Sequence, residues 1–378
     1  MKIIQITDHN GSGGVNSFVY DLCKEQCRYA QVMFISFINK EKDAAMEQLA
    51  ELEEKGVTVR CLGASSKLDA IFHYMPVLRR IMKEFSKGEK CICNLHLKLS
   101  VLMGVMAGAG LKNIKLVETY HNTYHHYKLQ YKVLHPWISH YIAISYTCGE
   151  EMKQRFHTKN TEMTVIPNGV NREEIREIAY TYPVKEHKGI LMMTVGRLSY
   201  EKNIKMPVKA FAEFCRNDLI YRVIGDGPQR EEILAAAQKN NYIEFTGEIP
   251  RRCVLANLAE ADIVIMPSLW EGRSILQLEA MALDKPLLLS DVPALREVFG
   301  EEQLKETELY RRCNWGYLVH TNVPESYQLA IEDFVDTNTE TKENMKKNIK
   351  KISVENDIKV VAEKYQFVYK KVMGGDAL

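Results

Sequence analysis

The chain has 378 residues, with 50 Lys or Arg and 49 Asp or Glu, and its net charge is +1 at neutral pH. This length is more than one ordinary hydrophobic core accommodates, so we expect two domains. The near-neutral balance argues against binding of nucleic acid. No apolar run approaches the roughly 18 residues that a membrane span needs, and residues 1–6 resemble a strand, so we expect a cytoplasmic protein. The nine cysteines lack zinc-site spacing, so we expect reduced thiols.

Strand-like and helix-like runs alternate from one end of the chain to the other. The predicted strands are 2–7, 32–37, 57–62, 90–95, 115–120, 141–144, 163–166, 190–195, 220–224, 242–245, 263–266, 286–289 and 316–319. The predicted helices between them include 16–30, 41–55, 69–84, 205–215, 229–240 and 274–283. Such alternation predicts an α/β fold with two doubly wound, parallel sheets.

The domain boundary is expected after the turn Pro167-Asn168-Gly169-Val170. Residues 1–170 then form the N-terminal domain, the polar stretch 171–188 a linker, and residues 189–355 the C-terminal domain. The run 344–373 is predicted to be one or two helices. In a two-domain arrangement, residues 356–378 are a candidate to cross back onto the first domain.

The stretch 262–282 places two carboxylates, Glu271 and Glu279, on either side of a strand-to-helix junction. The helix is predicted to begin at Ser274, a good N-cap, with Ile275 facing inward. Such crevices hold phosphorylated ligands in open α/β sheets, because a helix start offers unpaired N–H groups. Phosphates would repel a carboxylate in the loop, so Glu271 more plausibly faces a neutral polyol. The pattern therefore indicates a nucleotide-sugar site.

Two further strand ends carry loops suited to anions. The first strand is followed by Gly11-Ser12-Gly13-Gly14, whose glycines allow close approach of backbone to a ligand, although such turns also simply reverse the chain. The strand 190–195 is followed by a loop holding Arg197 and Lys202, two cations that suit a diphosphate. A surface loop with ordinary salt bridges is the alternative for this second loop.

His121 directly follows the strand 115–120, which places it at the ligand edge of a parallel sheet. Lone histidines are also often structural, and that alternative stays open. The chain contains no Asp-x-Asp triplet, so no obvious carboxylate pair holds a divalent metal against a diphosphate. We expect no metal and no cofactor, with Arg197 and Lys202 neutralising a leaving group instead.

Positive charge is concentrated in the first domain. Residues 60–135 contain 12 Lys or Arg and four Asp or Glu. The segment 120–141 adds an aromatic set interleaved with Lys128 and Lys132, namely Tyr124, Tyr127, Tyr131, Trp137 and Tyr141. A basic and aromatic face of this kind can rest on anionic lipid or receive a lipid-diphosphate acceptor. A solvated basic surface with ordinary core aromatics is the alternative.

These landmarks, in this order, resemble the GT-B glycosyltransferases, specifically the retaining nucleotide-sugar enzymes of family 4. The resemblance spans nearly the whole chain. It rests on the Gly13-Gly14-Val15 loop, His121, the turn 167–170, Gly196-Arg197 with Lys202, Gly225-Asp226-Gly227-Pro228, Glu271 with Glu279, and Asp291-Val292-Pro293. It implies two Rossmann-like domains whose sheets face across a cleft, and metal-independent transfer with retention of configuration.

The resemblance also implies a role for each residue at the site. Gly13 and Gly14 bring backbone to the donor phosphate, and Arg197 and Lys202 hold the departing diphosphate. Around the sugar, Glu271 is implied to bind hydroxyls near the anomeric carbon and His121 the outer hydroxyl. Around the nucleoside, Glu279 is implied to bind the ribose, and the segment from Gly247 to Arg251 to lie against the base. The backbone that faces the sugar or phosphate is implied to be that of Gly272, Arg273, Ser274 and Ile275.

The chain departs from the family where Gly-Phe-Gly often follows the first glutamate, since it has Gly272-Arg273-Ser274. Arg273 is expected either beside the donor sugar or turned into solvent. The expected donor is a UDP-sugar first and GDP-mannose second. The expected acceptor is a glycan or a lipid-linked molecule, and peripheral contact with anionic membrane is expected on the inner face of the cell membrane. The rival interpretations are a GT-B epimerase or phosphorylase and a non-catalytic partner subunit.

Overall fold

The computed structural model describes residues 1–11, 13–39, 43–121, 133–156, 162–214 and 216–374, and the chain divides into two units. The first unit contains Met1–Gly169 together with Ile358–Leu378, and the second contains Val170–Asp357. Each unit is built around its own sheet.

The first unit has a seven-stranded sheet whose strands are all parallel, in the order β3-β2-β1-β4-β5-β6-β7. The strands are β1 Lys2–His9, β2 Gln31–Ile38, β3 Thr58–Ala64, β4 Cys91–Leu95, β5 Ile114–Tyr120, β6 His140–Ala143 and β7 Met163–Val165. The helices are α1 Gly14–Gln26, α2 Asp43–Glu54, α3 Lys67–Asp69, α4 Met75–Ser86, α5 Lys98–Gly108 and α6 Tyr146–Phe156. A π-helical turn, Ala70–Tyr74, joins α3 to α4, where one helix was predicted.

The second unit has a seven-stranded sheet in the order β10-β9-β8-β11-β12-β14-β13. The strands are β8 Ile190–Val195, β9 Leu219–Ile224, β10 Ile243–Gly247, β11 Ile263–Met266, β12 Leu287–Ser290, β13 Tyr310–Cys313 and β14 Gly316–Val319. The helices are α7 Arg172–Thr181, α8 Lys205–Ala212, α9 Arg230–Ala236, α10 Arg251–Glu260, α11 Ile275–Ala282, α12 Pro293–Arg296, α13 Pro324–Asp336 and α14 Thr339–Ser353. All strands pair in parallel except β13, which is antiparallel to β14.

Burial on both faces of the sheets explains why the strands were recognisable as continuous apolar runs. Every residue of β4, β11 and β12 is buried. Strands covered by helices on both sides read this way because neither face meets water. The edge strand β13 was missed because its sequence Tyr-Arg-Arg-Cys is polar and none of its four residues is fully buried.

The stretch 171–188 is not a linker as predicted, because it contains helix α7 and lies in the second unit. Ile175 and Ala179 are one turn apart and buried in the core of that unit. The side chain of Asn171 caps the helix by accepting from the backbone N–H of Glu174 at 3.2 Å. The Asn-x-x-Glu spacing was therefore a helix-start signal that the charge-rich composition hid.

The last helix, α15 Ile358–Val372, belongs to the first unit. Two buried tyrosines of this helix contact the sheet. The hydroxyl of Tyr369 accepts from the side-chain amide of Gln5 in β1 at 3.3 Å. The hydroxyl of Tyr365 lies 3.4 Å from the hydroxyl of Thr119 in β5. No helix among the described residues is both long and apolar enough to cross a bilayer. The eight cysteines in the described ranges form no disulfide.

Candidate active site

In the second unit, the loop after β8 is fixed by a turn after β9 that only glycine can form. Gly225 has a φ of +136°, and a Cβ there would lie 2.0 Å from the carbonyl oxygen of Gly196. The backbone N–H of Leu198 donates to the backbone carbonyl of Asp226 at 3.0 Å, and the backbone N–H of Gln229 donates to the carbonyl of Leu198 at 2.8 Å. This close packing holds the loop that carries Arg197 and Lys202.

The two cations of that loop stand in different environments. The Nζ of Lys202 lies 2.5 Å from Oε1 of Glu271, and the same oxygen accepts from the hydroxyl of Ser268 at 2.8 Å. Arg197 is exposed, and its guanidinium makes no hydrogen bond or ion pair with the described part of the chain, although its backbone carbonyl accepts from Ser199. Because an ammonium group has three donors, Lys202 can bind Glu271 and still contact an anion. The structure thus brings Lys202 and Glu271 together and leaves Arg197 accessible.

Glu279 and Arg251, predicted for the ribose and the base, are adjacent. Arg251 is the first residue of α10, and Glu279 lies in α11, where its side chain is 10% exposed. The Nε of Arg251 donates to Oε1 of Glu279 at 3.0 Å, and a second guanidinium nitrogen lies 2.9 Å from the same oxygen. The carboxylate of Glu279 can still accept hydrogen bonds from further donors, such as the hydroxyls of a ribose.

Ser274 is the N-cap of α11 as predicted, and the helix begins at Ile275. Its side chain makes no capping hydrogen bond. Gly247, predicted to lie against the base, has a φ of +72°, and a Cβ there would meet no atom within 4 Å. Open space beside Gly247 is compatible with a ligand close to the backbone.

Arg273 does not turn into solvent, which was one of the two positions expected from the sequence. Its side chain is 5% exposed, donates to Oδ1 of Asn356 at 2.6 Å and lies 3.6 Å from Oε1 of Glu297. Burial lowers the pKa of Arg273 to about 10, while Glu297 acts in the opposite direction. The guanidinium therefore lies in the core of the second unit. The groups at this loop that are left to contact a sugar donor are the backbone groups of residues 272–275.

In the first unit, Gly13 and Gly14 form the start of α1. Gly13 is the N-cap with a φ of +141°, and a Cβ there would meet nothing within 4 Å. The buried side chain of Asn16 braces the preceding turn, since its amide nitrogen donates to the carbonyl oxygens of His9 at 2.9 Å and Gly11 at 2.5 Å. Asn16 was not predicted as a site residue, because its contribution is a contact across the turn that spacing does not indicate.

His121 is buried at the end of β5, where its position in the sequence placed it. Its Nε2 lies 2.9 Å from Nδ1 of His96, which occupies the equivalent position after the neighbouring strand β4. Burial lowers the pKa of His121 to about 3. Phe18 packs edge-on against the ring at a centroid distance of 5.9 Å. His96 was missed, although its place after a parallel strand was the same signal that singled out His121.

The predicted basic and aromatic face is described only in part. Tyr124, Tyr127, Lys128, Tyr131 and Lys132 lie outside the described residues. Trp137 is 53% exposed, as a surface aromatic would be. Tyr141 is buried, stacks on His135 and hydrogen-bonds its Nδ1 at 2.7 Å, so it is a core residue and not part of a surface. Within the described ranges, no three His, Cys, Asp or Glu side chains converge as a metal-binding group.

Two family models match the chain. The model described as "Glycosyltransferase Family 4" matches residues 12–174, and the one described as "Glycosyl transferases group 1" matches residues 176–352. Together they cover residues 12–352 except residue 175, which is most of both units.

Curated relatives are similar over part of their length. One subunit of the phosphatidylinositol N-acetylglucosaminyltransferase of Homo sapiens is 23% identical over 305 residues, which is 76% of this chain and 61% of the relative. An uncharacterized glycosyltransferase of Methanocaldococcus jannaschii is 27% identical over 173 residues, which is 43% of this chain and 44% of the relative. The chain thus spans 44% and 61% of the length of these two relatives.

Solved structures match over the full length of the chain. The Anabaena protein HepE, solved in complex with UDP-glucose, has a TM-score of 0.77 at 17% identity, covering 98% of this chain and 100% of that one. A glycosyltransferase from Rickettsia africae has a TM-score of 0.74 at 15% identity, covering 99% of both chains. At these identities the likeness establishes the fold of two parallel-sheet, Rossmann-like domains. With both family models and these relatives, the chain belongs to the group 1 glycosyltransferases of the GT-B fold.

Proposed function

We propose that this glycosyltransferase moves a sugar from a nucleotide diphosphate-sugar to a hydroxyl acceptor with retention of configuration and without a metal ion. UDP-sugars are the first candidates for the donor and GDP-mannose the second. The observation that carries the proposal is the pairing of Lys202 with Glu271, since Lys202 lies on the loop that also carries the exposed side chain of Arg197. The HepE structure contains UDP-glucose, which favours uridine as the first choice.

The cationic side chains support the assignment of the diphosphate. Arg197 offers a planar fork of donors, and Lys202 offers a point charge 30% exposed to solvent. Both are positioned by the loop that Gly196 and Gly225 lock together. A cation held in place, as Lys202 is by Glu271, stabilises a departing anion more in the transition state than in the ground state, and it supplies charge that a metal would otherwise provide.

The state of Glu271 favours attack from the front face over a glycosyl-enzyme intermediate. Its Oε1 already accepts from Lys202 and Ser268, which lowers its reactivity as a nucleophile. In the proposed step, the acceptor oxygen bonds to the anomeric carbon from the side that the diphosphate leaves, and the acceptor proton passes to the departing phosphate oxygen. Glu271 then holds sugar hydroxyls, and Glu279 holds the ribose.

Donor identity can be tested by a thermal-shift screen against UDP-, GDP-, ADP- and dTDP-sugars, because a ligand that binds only the folded protein raises the melting temperature. We expect the largest shift with a UDP-sugar. Turnover of that donor, followed by NMR of the product with and without EDTA, tests the reaction. A product with inverted configuration, free epimerised sugar, phosphate-dependent turnover or loss of activity with EDTA would each contradict the proposal.

The acceptor is proposed to be a glycan or a lipid-linked molecule. We propose that the first unit binds anionic membrane from the cytoplasmic side and receives the acceptor there. Leu68 and Phe72 are one helical turn apart and 67% and 73% exposed, and the exposed Lys67 and Lys83 lie on the same helical segment. Apolar side chains flanked by cations bind anionic interfaces.

Sedimentation with vesicles tests this membrane contact. We expect binding to phosphatidylglycerol vesicles and weaker binding of Phe72→Ser. Phe367→Ser is the control, since Phe367 is 51% exposed on α15, in the same unit. Equal binding of both variants, or no binding by the wild type, would contradict the membrane proposal.

A further inference from the structure

Two exposed aromatic rings lie on the two loops that carry Lys202 and Glu271. Tyr200 follows β8 and Trp270 follows β11, and these strands are neighbours in the sheet of the second unit. The ring centroids are 6.0 Å apart, and the ring planes are tilted by 53°. Tyr200 is 67% exposed and Trp270 is 40% exposed. Large aromatic rings that remain open to solvent next to each other are typical of a binding surface.

The backbone under both rings is fixed. Residues 200–202 form a 3₁₀ turn, and the buried side chain of Asn203 anchors its end by donating to the carbonyl oxygen of Thr321 at 2.8 Å. The backbone N–H of Leu269 donates to the carbonyl oxygen of Glu201 at 2.8 Å, which ties the two loops together. Because the loops are already ordered, a ligand that binds the rings pays little for fixing them.

The faces of the rings suit a sugar ring. One face of a pyranose is lined by C–H bonds of weak positive polarity, and the face of an aromatic ring is negative. A phosphate or a carboxylate gains nothing from such a face, and an alkyl chain has no flat side to stack on it. The polar side chains of Lys202 and Glu271, two positions after Tyr200 and one after Trp270, suit the hydroxyls at the edge of the same sugar.

The nucleoside of the donor is assigned to another part of the same edge. The segment from Gly247 to Arg251, proposed for the base, follows β10, and β9 lies between β10 and β8 in the sheet. Tyr200 and Trp270 thus lie two and three strands away from the base segment. The rings are left for a ligand other than the nucleotide.

We propose that Tyr200 and Trp270 form an aromatic subsite that binds a pyranose ring of the acceptor. This proposal rests on the proposed function and narrows it, since the acceptor then carries at least one sugar ring. The ring stacks on the aromatic faces, and its hydroxyls point to the loops of Lys202 and Glu271.

Saturation-transfer NMR on the full chain, with and without UDP, tests the subsite without any turnover. The probes are maltotriose, cellotriose and triacetylchitotriose, and sorbitol is the control because it has hydroxyls but no ring. We expect at least one trisaccharide to bind, with the strongest signals from its ring C–H protons. No binding by any trisaccharide in either condition, or equal binding of sorbitol, would overturn the proposal.

Variants locate the binding. We expect Tyr200→Ala and Trp270→Ala each to raise the Kd of that trisaccharide about fivefold, since a stacking contact is worth a few-fold to about tenfold in affinity. Tyr200→Phe and Trp270→Phe keep a ring and should retain most of the affinity. The control is Tyr180→Ala, since Tyr180 is 68% exposed on α7 of the same unit. An unchanged Kd in both alanine variants would overturn the proposal.

Calorimetry with UDP and UDP-glucose separates the acceptor from the donor. An equal rise in the Kd of either compound in Tyr200→Ala and Trp270→Ala would assign the rings to the donor and overturn the proposal. If the wild type turns over no donor, the proposed function fails, while the trisaccharide measurement still decides whether the two rings bind a sugar.

Discussion

Replacing Lys202 by Met removes the cation of the Lys202–Glu271 pair while keeping most of the side-chain volume. Glu271, whose side chain is 11% exposed, then keeps only the hydroxyl of Ser268 as a donor to Oε1 within the described ranges. Breaking a fully buried pair costs about 3–5 kcal/mol. Because Lys202 is 30% exposed, water screens the pair, and we expect a loss of about 1–2 kcal/mol in unfolding free energy.

The effect on catalysis should be larger than the effect on stability. Removal of one donor that stabilises developing charge costs roughly 10²–10³-fold in kcat. We therefore expect Lys202→Met to lower kcat at least a hundredfold, with about 3 kcal/mol lost from the transition state. Turnover of the donor identified by the thermal-shift screen gives kcat, and urea unfolding gives stability.

Lys205→Met is the matched control, since Lys205 is a nearby cation of the same unit and pairs with the more exposed Glu232. We expect this variant to keep wild-type kcat. A double variant with Glu271→Gln should be more stable than the sum of the single losses predicts, because neither charge is left alone. If Lys202→Met lowers stability but changes kcat less than threefold, Lys202 is a structural residue and the assignment is refuted.

Two more predictions concern stability. Gly225→Ala places a Cβ against the oxygen of Gly196, and we expect a loss of at least 2 kcal/mol in urea unfolding together with weakened donor binding. Gly300→Ala, which meets no atom, should cost about 1 kcal/mol; equal losses would contradict the steric argument. Burial lowers the pKa of His121 to about 3 and of His140 to about 4. The unfolded chain therefore binds extra protons below pH 6.5, and each histidine should remove about 1–2 kcal/mol of stability between pH 7 and pH 5; a flat profile would contradict this.

The elements that the sequence predicts best are those whose local pattern and buried environment agree. The strand Ile263–Met266 is clear in the sequence because an apolar run marks it, and the helix starting at Ile275 because a serine occupies its N-cap position. The helix Arg172–Thr181 was taken for a linker because its buried face is a narrow stripe on a charged surface.

The site residues divide in the same way, into those that the local sequence indicates and those that it does not. Lys202 and Glu271 could be singled out because each lies in the loop after a strand, and Glu279 because it lies inside the helix that follows the loop of Glu271. The partner of each charge could not be predicted, because partners come from segments distant in the chain. Arg273 reaches Asn356, 83 positions away, and its direction depends on burial that no local pattern contains.

The central claim is that the second unit binds the nucleotide diphosphate through Arg197 and Glu279. Calorimetric titration of UDP into the wild type, Arg197→Ala, Glu279→Ala and the control Arg216→Ala tests it most directly, since Arg216 is a surface arginine paired with Asp218. We predict that Kd rises about 10–100-fold in the first two variants and stays at the wild-type value in the control. Wild-type affinity in both Arg197→Ala and Glu279→Ala would contradict the account.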